Sequence, residues 1–374
     1  MFQHRRINSE ITFLQKVRNL DYILLISIFL LSSISLFIMY STDGGQILYH
    51  TKSHFIKLIV FFFMMLVIAF INIKFWHISA YLFYFIIVLL LIWVSYFGIS
   101  VSGSQRWMDL YFIALQPSEL MKIAIILCLA KYYHRLKIEN VNKFTSIFVP
   151  LVIIIIPMIL VVSQPDLGTS ILIALSGLSV LWLGGIKIKY FFYSFISFLI
   201  SLPFVISFLK PYQKLRILTF LDPDRDPLGA GYQIIQSKIA IGSGGFYGKG
   251  FLKGTQSYLD FLPEKHTDFI FTLFSEEFGF LGSILLLVIY LIIIFRIVRI
   301  GVISRSSFPK LFCFGFAFAI FIYIAVNLSM VLGLLPIVGS PLPIMSYGGS
   351  SMLSIMIGFG IVMSAKINQN QIIA

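Results

Sequence analysis

The chain is 374 residues long, with 59% hydrophobic and only 11% charged residues, whereas soluble domains carry about 25% charged residues. That composition excludes a soluble globular enzyme and predicts a membrane protein. Its 28 Lys and Arg outnumber 15 Asp and Glu for a net charge of +13, yet the basic residues sit in short clusters between apolar runs, which excludes a nucleic-acid-binding face.

The first apolar run, Leu20 to Tyr40, follows a basic segment containing Arg5, Arg6, Lys16 and Arg18. It is longer than a signal-peptide core and has no small-residue cleavage site, so it reads as a retained first span. Hydropathy predicts ten helices in all, near 20–40, 55–73, 76–96, 117–133, 147–163, 167–186, 190–209, 267–295, 311–335 and 345–365. Runs of about 20 apolar residues cross ~30 Å of hydrocarbon. The expected fold class is therefore all-α, a single polytopic membrane domain over 1–374. An even count places the N-terminal segment 1–19 and the tail 366–374 on one side. Basic clusters near 131–143, 187–189 and 296–310 fall on that same side, and the short loops opposite hold only Lys52, Lys57 and Arg106. The positive-inside rule then makes the termini cytoplasmic. Cys128 and Cys313 lie in apolar runs without metal-ligand spacing and read as packing residues.

One connection is long, residues 210–266, on the outer side and rich in Gly and Pro; loops of that length are functional or disordered. Within it Tyr232 to Ile241 has the composition of a short surface helix. Asp222, Asp224 and Asp226 lack the sixth-position Gly and distal Glu of a calcium loop and read as a turn. The Gly-rich stretch Gly242 to Gly254 lacks the spacing of a phosphate loop.

Polar groups inside spans are costly and mark function. Glu119 and Lys122 are three positions apart on one helical face, either as a structural ion pair or as the lining of a cavity for a charged ligand. Asp268, two residues after His266, stands at the mouth of the eighth span. A partly desolvated carboxylate there suits a base or metal ligand, and equally a helix N-terminal acid favoured by the dipole. Glu276 and Glu277 follow in the same span and are placed to support a polar cavity beneath Asp268. Pro341 to Ser351 opens the outer end of the last span, exposing Ser346 and Tyr347. Arg106, beside the interfacial Trp107 at the outer end of the third span, suits an anionic headgroup.

The segments QPSELMK (Gln116 to Lys122), QPDLGTS (Gln164 to Ser170), DPLGAGYQIIQSKIAIGSGG (Asp226 to Gly245), FLPEKHTDFIF (Phe261 to Phe271) and PLPIMSYGGSS (Pro341 to Ser351) together resemble the SEDS family of shape, elongation, division and sporulation proteins. They run in family order across nearly the whole chain, and the long loop and short tails resemble the RodA branch more than the FtsW branch. The resemblance implies a peptidoglycan glycosyltransferase of the bacterial inner membrane that polymerises lipid II during elongation and shape maintenance. It places the family's essential acid on Asp268 and its intramembrane ion pair on Glu119 and Lys122. Asp268 would act as base or hold a divalent cation such as Mg or Mn, with no organic cofactor. Arg106, Lys238 and Lys122 are the candidates to stabilise the undecaprenyl pyrophosphate leaving group, with His266, Ser346 and Tyr347 lining the site. Expected partners are the lipid-linked glycan, a class B penicillin-binding protein and other elongation-complex membrane proteins. A lipid II flippase, dependent on midplane groups, and a non-catalytic scaffold are the rival readings.

Overall fold

In the computed structural model, residues 12–101, 104–109, 114–208, 211–226, 229–255, 262 and 264–373 are described. Arg5 and Arg6 of the basic segment, and Pro227, Leu228, Phe261 and Pro263 of the motifs, lie outside them.

A short helix α1 (Phe13–Arg18) precedes α2 (Tyr22–Thr42), α3 (Tyr49–Phe70) and α4 (Ile73–Phe97). Then come α5 (Pro117–His134), α6 (Phe144–Ser163), α7 (Leu167–Leu183) and α8 (Ile188–Phe208). The long connection holds α9 (Pro211–Leu221) and α10 (Ala230–Gly244), and the chain closes with α11 (Ile270–Ile303), α12 (Ser307–Val331) and α13 (Gly349–Ile367). Each of the ten segments expected from hydropathy coincides with a helix. Among the described residues seven of these, α2, α3, α4, α6, α11, α12 and α13, are long and apolar enough to cross a membrane by length and composition. Helix α5 carries Glu119, Lys122 and Lys131, and α7 has only 17 residues.

Two details depart from expectation. A small antiparallel sheet, β1 (Ile99–Val101), β2 (Ser104–Asp109) and β3 (Ala114–Leu115), follows α4, with Ile99 opposite Trp107 and Met108 opposite Leu115. Arg106 is thus a strand residue and not a helix-end residue, and among the described residues the fold is all-α apart from this ribbon; strands this short leave almost no periodic signal. Helix α3 begins at Tyr49, so Lys52 and Lys57 ride on a helix instead of a loop. Their polar neighbours His50, Ser53 and His54 lower the hydropathy of its first turns without breaking the helix.

Helices α5, α12 and α13 form the centre. Helix α5 packs on α4, α7, α12 and α13, and α13 also packs along α3. Nearly all of α5 is buried, which is how it tolerates charged residues that a lipid-facing helix would not. Outer helices turn large apolar side chains such as Phe63, Val67, Phe85 and Ile159 outward, the pattern of a hydrocarbon-facing surface.

Helix α11 has 34 residues, longer than a bilayer core requires, and breaks at Gly279, whose φ of +65° and ψ of −162° are open only to glycine at low cost. The break would orphan backbone groups, and the segment after α10 satisfies them. Lys249 and Gly250 N–H donate to the Glu276 and Glu277 carbonyls at 3.0 Å, and Phe280 and Leu281 N–H donate to the Gly245 and Phe246 carbonyls at 2.9 and 3.1 Å. Glu276, fully buried, accepts from Lys249 Nζ (2.6 Å) and from Thr255 N and Oγ1 (2.9 Å each), while Glu277 accepts from Ser41 Oγ and from the Leu252 and Gly254 backbone N–H groups. The two carboxylates clamp the Gly-rich segment, which corrects the expectation that they support a cavity beneath Asp268. At Gly244 a Cβ would stand 2.2 Å from the Ser275 carbonyl oxygen. Gly244→Ala is therefore expected to lower stability by about 1–3 kcal/mol through overpacking, read as a depressed melting temperature in detergent.

Candidate functional site

Residues 264–269 form a turn that feeds α11, and the backbone of this turn is pinned from the last two helices. Tyr347 N–H donates to His266 O (2.8 Å), Ser346 Oγ to Thr267 O (2.6 Å) and Asn327 Nδ2 to Asp268 O (2.9 Å) and Ser340 O (2.7 Å). The segment 341–351 that supplies the Ser346 and Tyr347 donors is itself held. Tyr290 Oη donates to Pro343 O (2.6 Å), and Ser35 Oγ lies 3.1 and 3.0 Å from the carbonyls of Ile344 and Met345. Those contacts keep the β-branched Ile344 at φ +66°, a conformation that needs outside support.

The Asp268 side chain is half-buried, with Oδ2 lying 3.6 Å from where a Cβ on Gly339 would stand. Among the described residues none pairs with its carboxylate. Burial pushes its pKa up to about 7, nearby Glu264 adds to the rise, and the Arg106 and Arg216 cations oppose it. A reaction needing the ionised form is expected to speed up as pH rises through about 7 and level off above it, a profile that initial-rate measurements across pH would trace.

Arg106 Nη1 donates to Asp166 Oδ2 at 2.9 Å, and Gln116 Nε2 reaches the same oxygen at 3.2 Å. Asp166 is the N-cap of α7, accepting from Thr169 N (3.1 Å) and Thr169 Oγ1 (2.8 Å). Gln116 N–H donates to Ser350 Oγ (2.8 Å), which donates to Ala114 O (2.8 Å). Three of the polar motifs are thereby stitched beside Asp268, and Arg216 Nη1 on α9 donates to Ile337 O at 3.1 Å along the same rim.

Glu119 and Lys122 pair at 2.7 Å, with Lys122 Nζ 4.2 Å from the Tyr323 ring centroid. Lys122 is only 2% exposed, so it does not reach a pyrophosphate from this position, contrary to one of its expected roles. Lys238 is exposed on α10, its chain passing over Gly333 after α12, and no contact among the described residues joins it to the Asp268 turn. Tyr347 Oη lies 3.0 Å from Lys57 Nζ and 3.1 Å from Ser53 Oγ. Beside them an open groove of about 590 Å³ runs along α3, lined by Tyr49, Lys52, Ser53, Ile56, Lys57, Val60 and Phe61. It has cations near one end and apolar residues beyond. His266 stacks on His50 with ring centroids 4.1 Å apart. Sequence reasoning missed Asp43, His50, Asp166, Arg216 and Asn327 as parts of this region. Asn327, inside an apolar run, carried the signal that polar residues in spans carry; the others stand in connections or helix ends where polarity is ordinary.

The cell cycle protein family of FtsW, RodA and SpoVE matches residues 16–371. Peptidoglycan glycosyltransferase MrdB of Escherichia coli K12 is 47% identical over 290 residues, covering 77% of this chain and 78% of that protein. Probable peptidoglycan glycosyltransferase FtsW of Buchnera aphidicola subsp. Schizaphis graminum is 40% identical over 320 residues, covering 83% and 89%. Among solved structures, a chain of a peptidoglycan synthase complex that coordinates polymerization and crosslinking superposes with a TM-score of 0.80 at 28% identity, covering 93% of this chain and 97% of that one. The rod shape determining protein RodA of Thermus thermophilus gives 0.71 at 22% identity over 94% and 97%, a likeness of fold.

Proposed function

The chain belongs to the FtsW, RodA and SpoVE family of cell cycle proteins and is a peptidoglycan glycosyltransferase, and from that premise we propose that it polymerises lipid II with Asp268 at the reacting centre. The carrying observation is a half-buried carboxylate, unpaired among the described residues, on an over-determined turn with two guanidinium groups within electrostatic reach. In the reaction a sugar 4-hydroxyl attacks the anomeric carbon of a second lipid-linked sugar, its C–O bond to undecaprenyl pyrophosphate breaks, and the centre inverts. The ionised Asp268 takes the hydroxyl proton. Arg106 and Arg216 stabilise the negative charge that gathers on the departing pyrophosphate. The groove along α3 suits a lipid-linked substrate, with Lys52 and Lys57 for phosphate and apolar residues for the chain.

A divalent cation fits this site in the manner of Mg²⁺, which takes one or two carboxylates and completes its shell from water and substrate phosphate; Asp268 would supply the carboxylate. Such an ion would supply charge neutralisation at the pyrophosphate. The ten helices expected from hydropathy are taken as ten spans, with both termini cytoplasmic and residues 210–266 on the outer side of the inner membrane. Basic residues at 131–143, 187–189 and 296–310 support that orientation. A class B penicillin-binding protein is the proposed crosslinking partner.

The test is polymerisation of labelled lipid II by the purified chain with such a partner whose own transpeptidase is blocked. Long glycan strands are expected. Transbilayer movement of lipid II without strands would favour a flippase, and neither activity would favour a scaffold.

A further inference from the structure

We propose that Asp43, His50 and His266 form a binding site for a transition-metal dication of the Zn²⁺ or Co²⁺ kind, clasping the α2–α3 corner to the turn that carries Asp268. One ligand atom from each residue falls within 4.8 Å of the others. Asp43 follows the last turn of α2, His50 stands in the first turn of α3 and His266 lies in the turn before α11. Residues far apart in the chain thus converge on one point.

The hydrogen bonds around the cluster orient its ligand atoms. The Asp43 side chain is 3% exposed. Its Oδ2 accepts from Thr51 N (2.9 Å) and Thr51 Oγ1 (2.6 Å), whereas Oδ1 receives no hydrogen bond from the described residues. That oxygen faces His50 Nδ1 at 3.6 Å and His266 Nε2 at 4.0 Å. Thr42 Oγ1 directs its only proton to Met39 O (2.7 Å), so it accepts from His266 Nδ1 at 3.0 Å. With Nδ1 engaged by Thr42, Nε2 is the ring nitrogen turned toward the buried Asp43 carboxylate oxygen. A histidine whose second ring nitrogen is engaged by a neighbour is also the usual arrangement of a metal ligand.

Metal–nitrogen bonds of about 2.0–2.1 Å put tetrahedral ligand atoms roughly 3.4 Å apart. The edges from Oδ1, at 3.6 and 4.0 Å, need little closure. The wider histidine edge closes by movement of His50, whose side chain is 40% exposed and whose ring stacks on His266 at an interplanar angle of 14°. Two imidazoles with one carboxylate favour transition metals over Mg²⁺ and Ca²⁺, which prefer oxygen. The site is therefore separate in chemistry from a Mg²⁺-type ion at Asp268. Its role is to position: it ties the helix corner beside the groove to a residue two places before Asp268.

The experiment uses the full chain without a histidine tag, stripped with chelator in detergent and titrated with Co²⁺, and needs no polymerase activity. Visible d–d absorption of low-coordinate Co²⁺ is expected, bleached by Zn²⁺ and not by Mg²⁺. His50→Gln and Asp43→Asn should each weaken binding at least ~10-fold. Co²⁺ should raise the melting temperature of the native chain and leave that of His50→Gln unchanged. His50→Gln removes a partly exposed ring, so it keeps the test sound if Asp43→Asn fails to fold. No absorption in the native chain, or the same absorption in His50→Gln, would overturn the proposal and leave a protonated histidine as the partner of Asp43.

Discussion

Asp268→Asn is expected to lower lipid II polymerisation by about 100-fold or more, the range that a lost proton acceptor commands, while leaving the melting temperature within error of the native chain. The two readouts separate because of how the residue is held. Its backbone carbonyl accepts from Asn327 Nδ2 at 2.9 Å, and flanking carbonyls take Ser346 and Tyr347 donors. The substitution leaves all of these intact. The carboxylate itself has no partner among the described residues, and burial pushes its pKa up to about 7. Neutralising it removes a desolvated charge and does not break a salt bridge, so the folded state loses nothing. Strand synthesis by Asp268→Asn at the native rate would remove Asp268 from the reacting centre. A large fall in melting temperature would mean that the residue acts through the fold.

The second large effect is expected in stability. Lys122→Met should destabilise the chain by about 3–5 kcal/mol, because it strands the Glu119 carboxylate inside the bundle. The pair meets at 2.7 Å, with Glu119 5% and Lys122 2% exposed. Glu119 Oε2 already has no hydrogen-bond partner among the described residues, so little else is available to compensate. Combining Glu119→Gln with Lys122→Met should recover most of that loss, since a neutral amide beside an apolar chain carries no stranded charge. Chemical or thermal unfolding in detergent of the two single variants and the double variant closes the cycle. Single variants that keep native stability but lose polymerisation would instead make the pair part of a ligand site that opens during turnover. That result would also revive the midplane dependence required of a flippase.

The positions of the membrane helices were legible because each must present a run of apolar residues to hydrocarbon, a signal carried by consecutive residues. Asp268 was legible for a related reason, as a charge at the edge of such a run. The strands Ile99–Val101, Ser104–Asp109 and Ala114–Leu115 escaped because strands of two to six residues have too few positions to establish a period. The start of α3 escaped because His50, Lys52 and His54 interrupt the apolar run, although Thr51 and His54 are buried against other protein segments. From sequence alone Glu276 and Glu277 read as supporting a polar cavity beneath Asp268, because nothing local could say that a Gly-rich segment 20 to 30 residues earlier would hold them.

By itself the sequence determined that this is a polytopic membrane protein, where its apolar helices run, and which few charged residues stand at their edges, since hydropathy and charge are properties of neighbours along the chain. Only the tertiary structure decided that Asp268 is left unpaired among the described residues while Glu119 with Lys122 and Arg106 with Asp166 are paired, and that Asp43, His50 and His266 meet. Those outcomes depend on distances of a few ångströms between segments separated by tens to hundreds of residues. Electrostatic and hydrogen-bond energies are decided at that scale.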